Sequence, residues 1–195
     1  MIENVQYGFR LTMIQEGATF VNDPRDRGGP TKMGLTLGLM KNLGLDMNND
    51  GRITTEDVHL VTEDVVLEVY RAEFWNRVNG DRLPQGRDVQ TADFAFNAGP
   101  GRARLFYGQT DSADAFALRQ MKYYLDLADT LPGYVGFFRG LTRRALQVLS
   151  GITALVDDYS PGPRIVQLRV ILSEADRDTS YRGVFREKAR EVLHG

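Results

Sequence analysis

Residues 16–36 of this 195-residue chain read EGATFVNDPRDRGGPTKMGLT, and this stretch organises our interpretation of the fold. It starts with an acid and then runs through a segment rich in proline and glycine. Its polar side chains of interest are Glu16, Asp23, Asp26, Thr31 and Thr36. A carboxylate followed by a turn-rich segment that can fold back over it predicts an acid-lined cleft.

The residues before Glu16 predict an amphipathic helix. Val5, Phe9 and Met13 recur at helical spacing, and Gly17 supplies a stop signal. Glu16 would then lie at the C-terminal end of the helix, where the macrodipole disfavours an anion. Such a position suits a carboxyl group that must donate a proton near neutral pH. The alternative is an ordinary solvated surface glutamate.

The composition indicates a globular protein that buries a core of its own. Hydrophobic residues make up 42% and charged residues 26% of the chain, which at this length predicts one domain or one domain with a small appendage. The net charge of −2 gives no basic field for nucleic acid. Cysteine is absent, which excludes disulfides, zinc–thiolate sites and cysteine nucleophiles.

The remaining pattern predicts a mainly α fold, with a short irregular hairpin or loop after the first helix. Helical spacing of apolar residues is found at 55–79, 89–98, 111–130 and 135–151, and a charged helix is expected at the C-terminus. After SPGP, which is the best candidate boundary, the run RIVQLRVIL at 164–172 predicts a short extended segment. The start of the chain lacks the charged and apolar regions of a secretory signal, and no window approaches the ~20 apolar residues of a membrane span.

Residues 46–57, DMNNDGRITTED, match the spacing of an EF-hand calcium loop, with Gly51 at the turn position. The expected oxygen ligands are Asp46, Asn48, Asp50, Arg52 through its carbonyl, Thr54 and Asp57. Asp57 takes the place of the usual bidentate glutamate. We expect a structural Ca²⁺ here and no cofactor for catalysis. The alternative is an Asx-rich turn with a helix N-cap at Thr54 or Thr55.

Three stretches together resemble glycoside hydrolase family 108. Residues 16–36 resemble its signature E-G-G-Y-V-x-D-P-x-D-x-G-G-x-T-x-x-G-I-T. The stretch DFAFNAGPGRA at 93–103 resembles the D-F-A-V-N-S-G-P-G-R-A segment that opens the companion peptidoglycan-binding region. The stretch YVGFFRGLTRRA at 134–145 resembles the closing F-x-x-G-W-x-x-R run of that region, with Leu141 in place of the tryptophan.

The resemblance implies a lysozyme-like helical fold and N-acetylmuramidase activity on the β-1,4 linkage of peptidoglycan, in a phage endolysin or a related lytic enzyme. By its position, Glu16 corresponds to the catalytic acid. Glycoside hydrolysis also requires a base or nucleophile opposite the acid. We assign Asp26 to that role, with Asp23 as a reserve that also suits a turn, and Thr31 to holding the water or the sugar.

Four further assignments concern substrate binding, and they are Asp23, Thr36, Trp75 and Asn97. Trp75 is the only tryptophan. Core packing with its aromatic neighbours is its usual role, but a wall against a sugar ring is the alternative. Asn97 could line the same groove or serve a helix terminus.

These assignments give a domain plan and a setting. Residues 1–88 form the catalytic lysozyme-like part, 89–155 the helical part that resembles the peptidoglycan-binding region and packs on the first as one unit, and 156–195 a C-terminal extension. We expect a monomer, made in the cytoplasm without a signal peptide, without stable membrane insertion and without nucleic acid as a partner. It would act on peptidoglycan glycan strands in the periplasm or cell wall after release, or within a phage particle.

Two other classes of function stay open. One is a non-catalytic module that binds cell-wall glycan or serves a phage structure, which the altered residues Ala18, Thr19 and Phe20 near Glu16 allow. The other is a calcium-gated interaction module organised around residues 46–57.

Overall fold

The structure of the protein, a computed structural model, describes residues 2–17, 19–22, 29–156 and 159–194. Within these ranges it has ten α-helices and one antiparallel pair of short strands. The helices are α1 Ile2–Glu16, α2 Leu37–Leu43, α3 Thr55–Leu60, α4 Glu63–Val69, α5 Arg87–Ala98, α6 Pro100–Gly108, α7 Ala113–Thr130, α8 Phe138–Gly151, α9 Pro163–Arg177 and α10 Phe185–His194, and the strands are β1 Thr31–Lys32 and β2 Leu35–Thr36. The predicted mainly α fold with a hairpin after the first helix is confirmed.

Helix α1 runs parallel to α5 in the centre of the bundle. At one end, Nδ2 of Asn4 donates to Oδ2 of Asp88 at 2.7 Å. Two turns further on, the hydroxyl of Thr12 donates to Oδ1 of Asp93 at 3.0 Å. Both contacts are buried, so the polar side chains that align the two helices are satisfied by each other.

Helix α8 packs against α1 in the opposite direction. The hydroxyl of Tyr7 donates to the carbonyl oxygen of Gly151 at 2.7 Å, at the C-terminal end of α8. Near the other end of α1, Glu16 pairs with Arg144. The two helices are therefore antiparallel, with Tyr7 near Gly151 and Glu16 near Arg144.

The hairpin between α1 and α2 folds back over the end of α1. Thr31 faces Thr36 and Lys32 faces Leu35 across the two strands. The connecting residues Met33 and Gly34 have φ values of 50° and 76°, as a two-residue turn of the I′ type requires. Val21 exchanges two hydrogen bonds of 2.8 Å with Thr31 on the outer side of β1.

The long helix predicted over residues 55–79 is wrong in its continuity. The chain forms α3, breaks at Val61, which is extended with ψ of 130°, and restarts as α4. The side chain of Thr62 accepts a hydrogen bond from the amide of Val65 and caps α4. A second capping residue inside an apolar periodic stretch therefore divides it, because the cap holds an extended backbone. Beyond α4 the chain continues as a π-helical turn over Tyr70–Trp75 and a 3₁₀ turn over Asn76–Val78.

The extended segment predicted at 164–172 is also wrong, because these residues lie in helix α9. Ile165, Leu168, Leu172 and Ala175 are buried, and their spacing of three or four residues forms one helical face against α8 and α10. Pro163 occupies the first position of the helix, where it is favoured. Tertiary burial thus overrides the β-branched content of the stretch.

Buried apolar side chains form one continuous core that draws on residues from Val5 to Leu193. All three predicted parts of the chain contribute to it, and the boundaries between those parts stay predictions. Crossing a bilayer would require a longer and more apolar helix than any in the described part of the chain.

Candidate active site

Glu16, the last residue of α1, lies where three elements meet. Its side chain is 22% exposed, and its Oε1 accepts a hydrogen bond from Nη1 of Arg144 on α8. Its Oε2 faces the hairpin turn, where a methyl group at Gly34 would lie 3.2 Å away. One carboxyl oxygen is therefore held by a cation, and the other faces Gly34, the turn residue that lacks a side chain.

Arg144 is itself held from the core. It is buried, and it forms a two-pronged contact with Asp93 on α5, through Nη2 to Oδ1 at 2.9 Å and Nε to Oδ2 at 3.2 Å. Thr12 donates to the same carboxylate. Burial by itself lowers the pKa of Arg144, but Asp93 and Glu16 outweigh it and hold the pKa above its usual value. The guanidinium is thus a fixed positive charge behind Glu16.

The hairpin reaches Glu16 only because residue 34 is glycine. A methyl group at Gly34 would lie 2.4 Å from Cε1 of Phe96, which no real contact allows. The φ of 76° also disfavours any side chain at this position. Phe96 in turn packs against Phe74 with ring centroids 4.8 Å apart. The turn is therefore seated on an aromatic ring that is anchored to the centre of the bundle.

The two predicted threonines lie at the open end of the hairpin. Thr31 donates through its hydroxyl to the carbonyl oxygen of Gly29 at 2.9 Å. Thr36 caps α2, because its hydroxyl oxygen accepts from the amide of Leu39 at 3.1 Å. These contacts give both side chains a structural task. Their predicted roles toward water or sugar stay predictions.

Asp23 and Asp26 lie outside the described residues. Their assignments as reserve and second catalytic group therefore stay predictions from the sequence.

The structure corrects the sugar-binding role predicted for Trp75. Its side chain is 1% exposed, and Nε1 donates to Oδ1 of Asp81 at 3.0 Å. Gly80 packs so closely on the indole that a methyl group there would lie 2.4 Å from Cε2. The ring has no free face for a sugar, so the core role is the one that the structure supports.

Asn97 lies at the same end of the bundle as Glu16. It is exposed in the last turn of α5, and its Oδ1 accepts from the hydroxyl of Tyr124 at 2.8 Å. Because Thr12 is level with Asp93 and the two helices are parallel, one further turn brings Asn97 level with Glu16. Its predicted contact with substrate stays a prediction.

The loop 46–57 directs its carboxylates at its own backbone. Asp46 accepts from the amides of Asp50 at 3.2 Å and Gly51 at 2.8 Å. Asp57 accepts from three amides, those of Met47, Asn48 and Thr54, and completes a capping box with Thr54. The hydrogen bond with Thr54 is the main reason why the pKa of Asp57 is lowered.

This geometry fits the alternative of an Asx-rich turn with Thr54 as N-cap. In the part of the chain that the structure describes, no three His, Cys, Asp or Glu side chains are grouped so as to hold a metal ion. The main-chain and neutral ligands Arg52, Asn48 and Thr54 lie in the same loop as Asp46 and Asp50. Binding of Ca²⁺ by these residues stays a prediction.

Arg144, Asp93 and Gly34 are the site residues that sequence reasoning did not single out. All three stand inside the stretches that resemble family motifs, at 16–36, 93–103 and 134–145. The signal in the sequence was that Asp93 and Arg144 are an acid and a base within these stretches. Spacing along the chain does not show that they meet.

Comparison with known proteins bears on the family and the fold. Residues 9–99 match the family model described as Glycosyl hydrolase 108, a range that contains Glu16, Gly34 and Asp93. The chain is also similar to the solved structure of Brucella abortus SagA, with 26% identity, a TM-score of 0.67, and coverage of 81% of this chain and 98% of that one. No curated protein matches significantly. The resemblance to glycoside hydrolase family 108 and the lysozyme-like helical fold are confirmed, and the family supports a glycosidase that acts on a glycan.

Proposed function

We propose that this chain, which matches the glycosyl hydrolase 108 model over residues 9–99, is a lysozyme-type peptidoglycan hydrolase. It cleaves the β-1,4 bond between N-acetylmuramic acid and N-acetylglucosamine. As a phage endolysin or a related lytic enzyme, it reaches its substrate in the periplasm or cell wall after release, or within a phage particle.

One observation carries the proposal, namely the way in which Glu16 is held. A carboxyl group at a helix end, 22% exposed, is fixed by a buried guanidinium from behind and bordered by a hairpin turn in front. Surface glutamates are not usually built into a charge network whose other members, Arg144, Asp93 and Thr12, are all buried. A carboxyl group held in one position meets the geometric requirement of general-acid catalysis.

In this mechanism Glu16 protonates the leaving glycosidic oxygen. Oε1 stays with Arg144, which leaves Oε2 as the oxygen that carries the proton. Asp26, with Asp23 as reserve, serves as the second group that activates water or stabilises the positive charge developing on the sugar. Thr31 holds the water or the sugar.

The experiment that tests the proposal is digestion of purified peptidoglycan, followed by borohydride reduction and mass spectrometry. A muramidase leaves N-acetylmuramic acid at the new reducing end, so reduced muramic acid is the expected terminus. Reduced glucosamine would assign the enzyme to the other glycosidic bond, and no new reducing end would remove the hydrolase proposal.

A second candidate is a module that binds cell-wall glycan without cleaving it. The observation that favours it is the contact at Oε1, because the oxygen that Arg144 engages is not free to donate a proton to a glycosidic oxygen. The same digest separates the two candidates. Retention of the protein on insoluble peptidoglycan without muropeptide release would support the binding module.

A further inference from the structure

The connection between α7 and α8 carries an unusual amount of exposed apolar surface. All of residues 131–137, LPGYVGF, are exposed, and four of them are large and apolar, namely Leu131, Tyr134, Val135 and Phe137. Phe137 is 66% exposed. The rings of Tyr134 and Phe137 pack edge to face with centroids 6.3 Å apart. Grouped exposed apolar side chains of this kind mark binding surfaces more often than isolated ones do.

Phe137 lies on the same face of α8 as Arg144. Its backbone is helical, and its carbonyl oxygen accepts from the amide of Leu141 at 2.9 Å, so the helical register includes it. Seven residues separate Phe137 from Arg144, which is two turns or about 10 Å along the axis. Leu141, partly buried, lies between them on that face.

The direction of the helices explains why this face is open at Phe137. Helix α1 covers α8 from Gly151 as far as Arg144, and α1 then ends at Glu16. Because the two helices are antiparallel, the face of α8 that continues past Arg144 toward Phe137 has no further turn of α1 over it. The exposed ring therefore lies on the open continuation of the surface that begins at Glu16.

We propose that Phe137, supported by Tyr134, is a stacking platform for a sugar ring of the glycan strand, on one side of the bond placed at Glu16. This inference rests on the proposed function. Aromatic rings bind the apolar face of a pyranose while its hydroxyl and amide groups stay in water, which suits a half-exposed pair better than a closed pocket. Trp75, predicted for this task, is buried and does not compete for it.

The chemistry of the segment favours a neutral sugar as the occupant. The stretch LPGYVGF has no charged residue, so it offers no attraction to an anionic lipid surface. One face of α8 connects the segment to Arg144, which contacts Glu16, and this argues for the strand that Glu16 would cleave rather than for a separate partner.

The test uses the full chain carrying Glu16→Gln, so that binding is measured without cleavage. Isothermal titration with a soluble N-acetylglucosamine hexamer, and co-sedimentation with purified peptidoglycan, give the affinity. We expect Phe137→Ala to weaken binding about tenfold, Phe137→Leu to weaken it similarly because the ring is lost, and Phe137→Trp to retain it. The melting temperature should stay close to that of the parent, because the side chain is 66% exposed.

The matched control is Val170→Ala on α9, which removes an apolar side chain that is 53% exposed on a different helix and should leave binding unchanged. Equal hexamer affinity for Phe137→Ala and its parent would overturn the proposal. The proposal would also be overturned if Phe137→Ala lost binding to zwitterionic or anionic lipid vesicles and kept its binding to glycan.

The outcome also distinguishes this inference from the proposed function. In the active enzyme, Phe137→Ala should raise KM for soluble peptidoglycan fragments with little change in kcat, because stacking acts on ground state and transition state alike. If Phe137→Ala releases muropeptides with the KM of the parent, the stacking proposal is rejected and the proposed hydrolase activity is retained. If hexamer binding depends on Phe137 but the parent chain releases no muropeptides, the hydrolase proposal is rejected and the stacking role of Phe137 is retained.

Discussion

The acidic residues of the loop 46–57 and Glu16 are all candidate site residues in the sequence, but their carboxylates have different partners in the structure. In the loop 46–57, the carboxylates of Asp46 and Asp57 accept from backbone amides no more than ten positions away. Glu16 instead accepts from Arg144, 128 positions further along the chain. The loop carboxylates find their hydrogen-bond donors within the loop, whereas Glu16 obtains its donor only through the packing of α1, α5 and α8. The difference indicates that local hydrogen bonding builds a turn, and that a long-range contact with a buried guanidinium is what marks the candidate catalytic acid.

The largest expected effect on the free energy of unfolding comes from removing the remote partner of Glu16. Arg144→Met leaves the Asp93 carboxylate buried without its cation, which typically costs about 3–5 kcal/mol of unfolding free energy. Urea denaturation measures this loss, and turbidity assays on peptidoglycan should show activity falling with it because Glu16 is no longer held.

The neighbouring arginine provides the control. Arg143 also pairs with an acid, Asp176, but both side chains are more than a third exposed. Arg143→Met should therefore cost less than about 1 kcal/mol and keep activity. Equal losses for the two variants would mean that the buried network has no special role.

The second effect tests the approach of the hairpin to Glu16. Gly34→Ala places a methyl group 2.4 Å from the Phe96 ring and 3.2 Å from Oε2 of Glu16, so the turn must move away. We expect activity on peptidoglycan to drop about tenfold or more, because displacements of about 1 Å near a catalytic group can cost that much.

Gly44→Ala is the matched control for this variant. Gly44 has a similar φ of 71° but no atom within 4 Å of the added methyl group, so it carries the backbone strain without the collision. The melting temperature should fall in both variants, and activity only in Gly34→Ala. Full activity in Gly34→Ala would show that the close approach of the hairpin to Glu16 is not needed for catalysis.

A smaller effect is expected in the self-contained loop. Asp57→Asn removes a carboxylate that accepts from three amides, and we expect the melting temperature to fall by about 2–4 °C at pH 7, with activity retained. Because the pKa of Asp57 is lowered, its contribution is full above the usual value of 3.8 and is lost as the pH falls through the lowered pKa. The difference between variant and parent, followed by thermal melts from pH 7 to pH 2, should shrink in the acid range. Glu56→Gln, an exposed neighbour, should change little at any pH.

A shift of similar size is expected from calcium. The sequence predicts that Ca²⁺ binds the loop, and at ten times its dissociation constant it should raise the melting temperature by about 3 °C and release heat in calorimetry. Asp46→Ala should abolish both signals. If the parent protein gives no heat and melts alike in Ca²⁺ and in a chelator, the loop is a turn and nothing more.

The features that were predictable from the sequence are those set by local patterns. The amphipathic spacing of Val5 and Phe9 predicted α1, and the turn residues after Glu16 predicted the hairpin. The break at Val61 and the helix α9 were missed for a shared reason. A single capping threonine, and burial of Ile165 and Leu168 against other helices, outweigh the periodicity and β-branched content of the stretches that contain them.

The site was predictable only in its acid. Motif position identified Glu16, but the partners Arg144 and Asp93 come from helices whose packing no spacing rule gives. Trp75 was misplaced because an aromatic residue beside polar neighbours does not show which side of the helix they cover. Its indole is closed off by Gly80, five residues further on.

The most direct test of the central claim compares muropeptide release by the parent chain with that by Glu16→Gln on the same purified peptidoglycan. The variant removes the transferable proton and the negative charge, while an amide oxygen can still accept from Arg144. We predict a fall in release rate of about 100-fold or more in a protein that keeps its fold, since loss of a general acid typically costs 10²–10⁴ in rate. Release at the parent rate by a folded Glu16→Gln protein would contradict it.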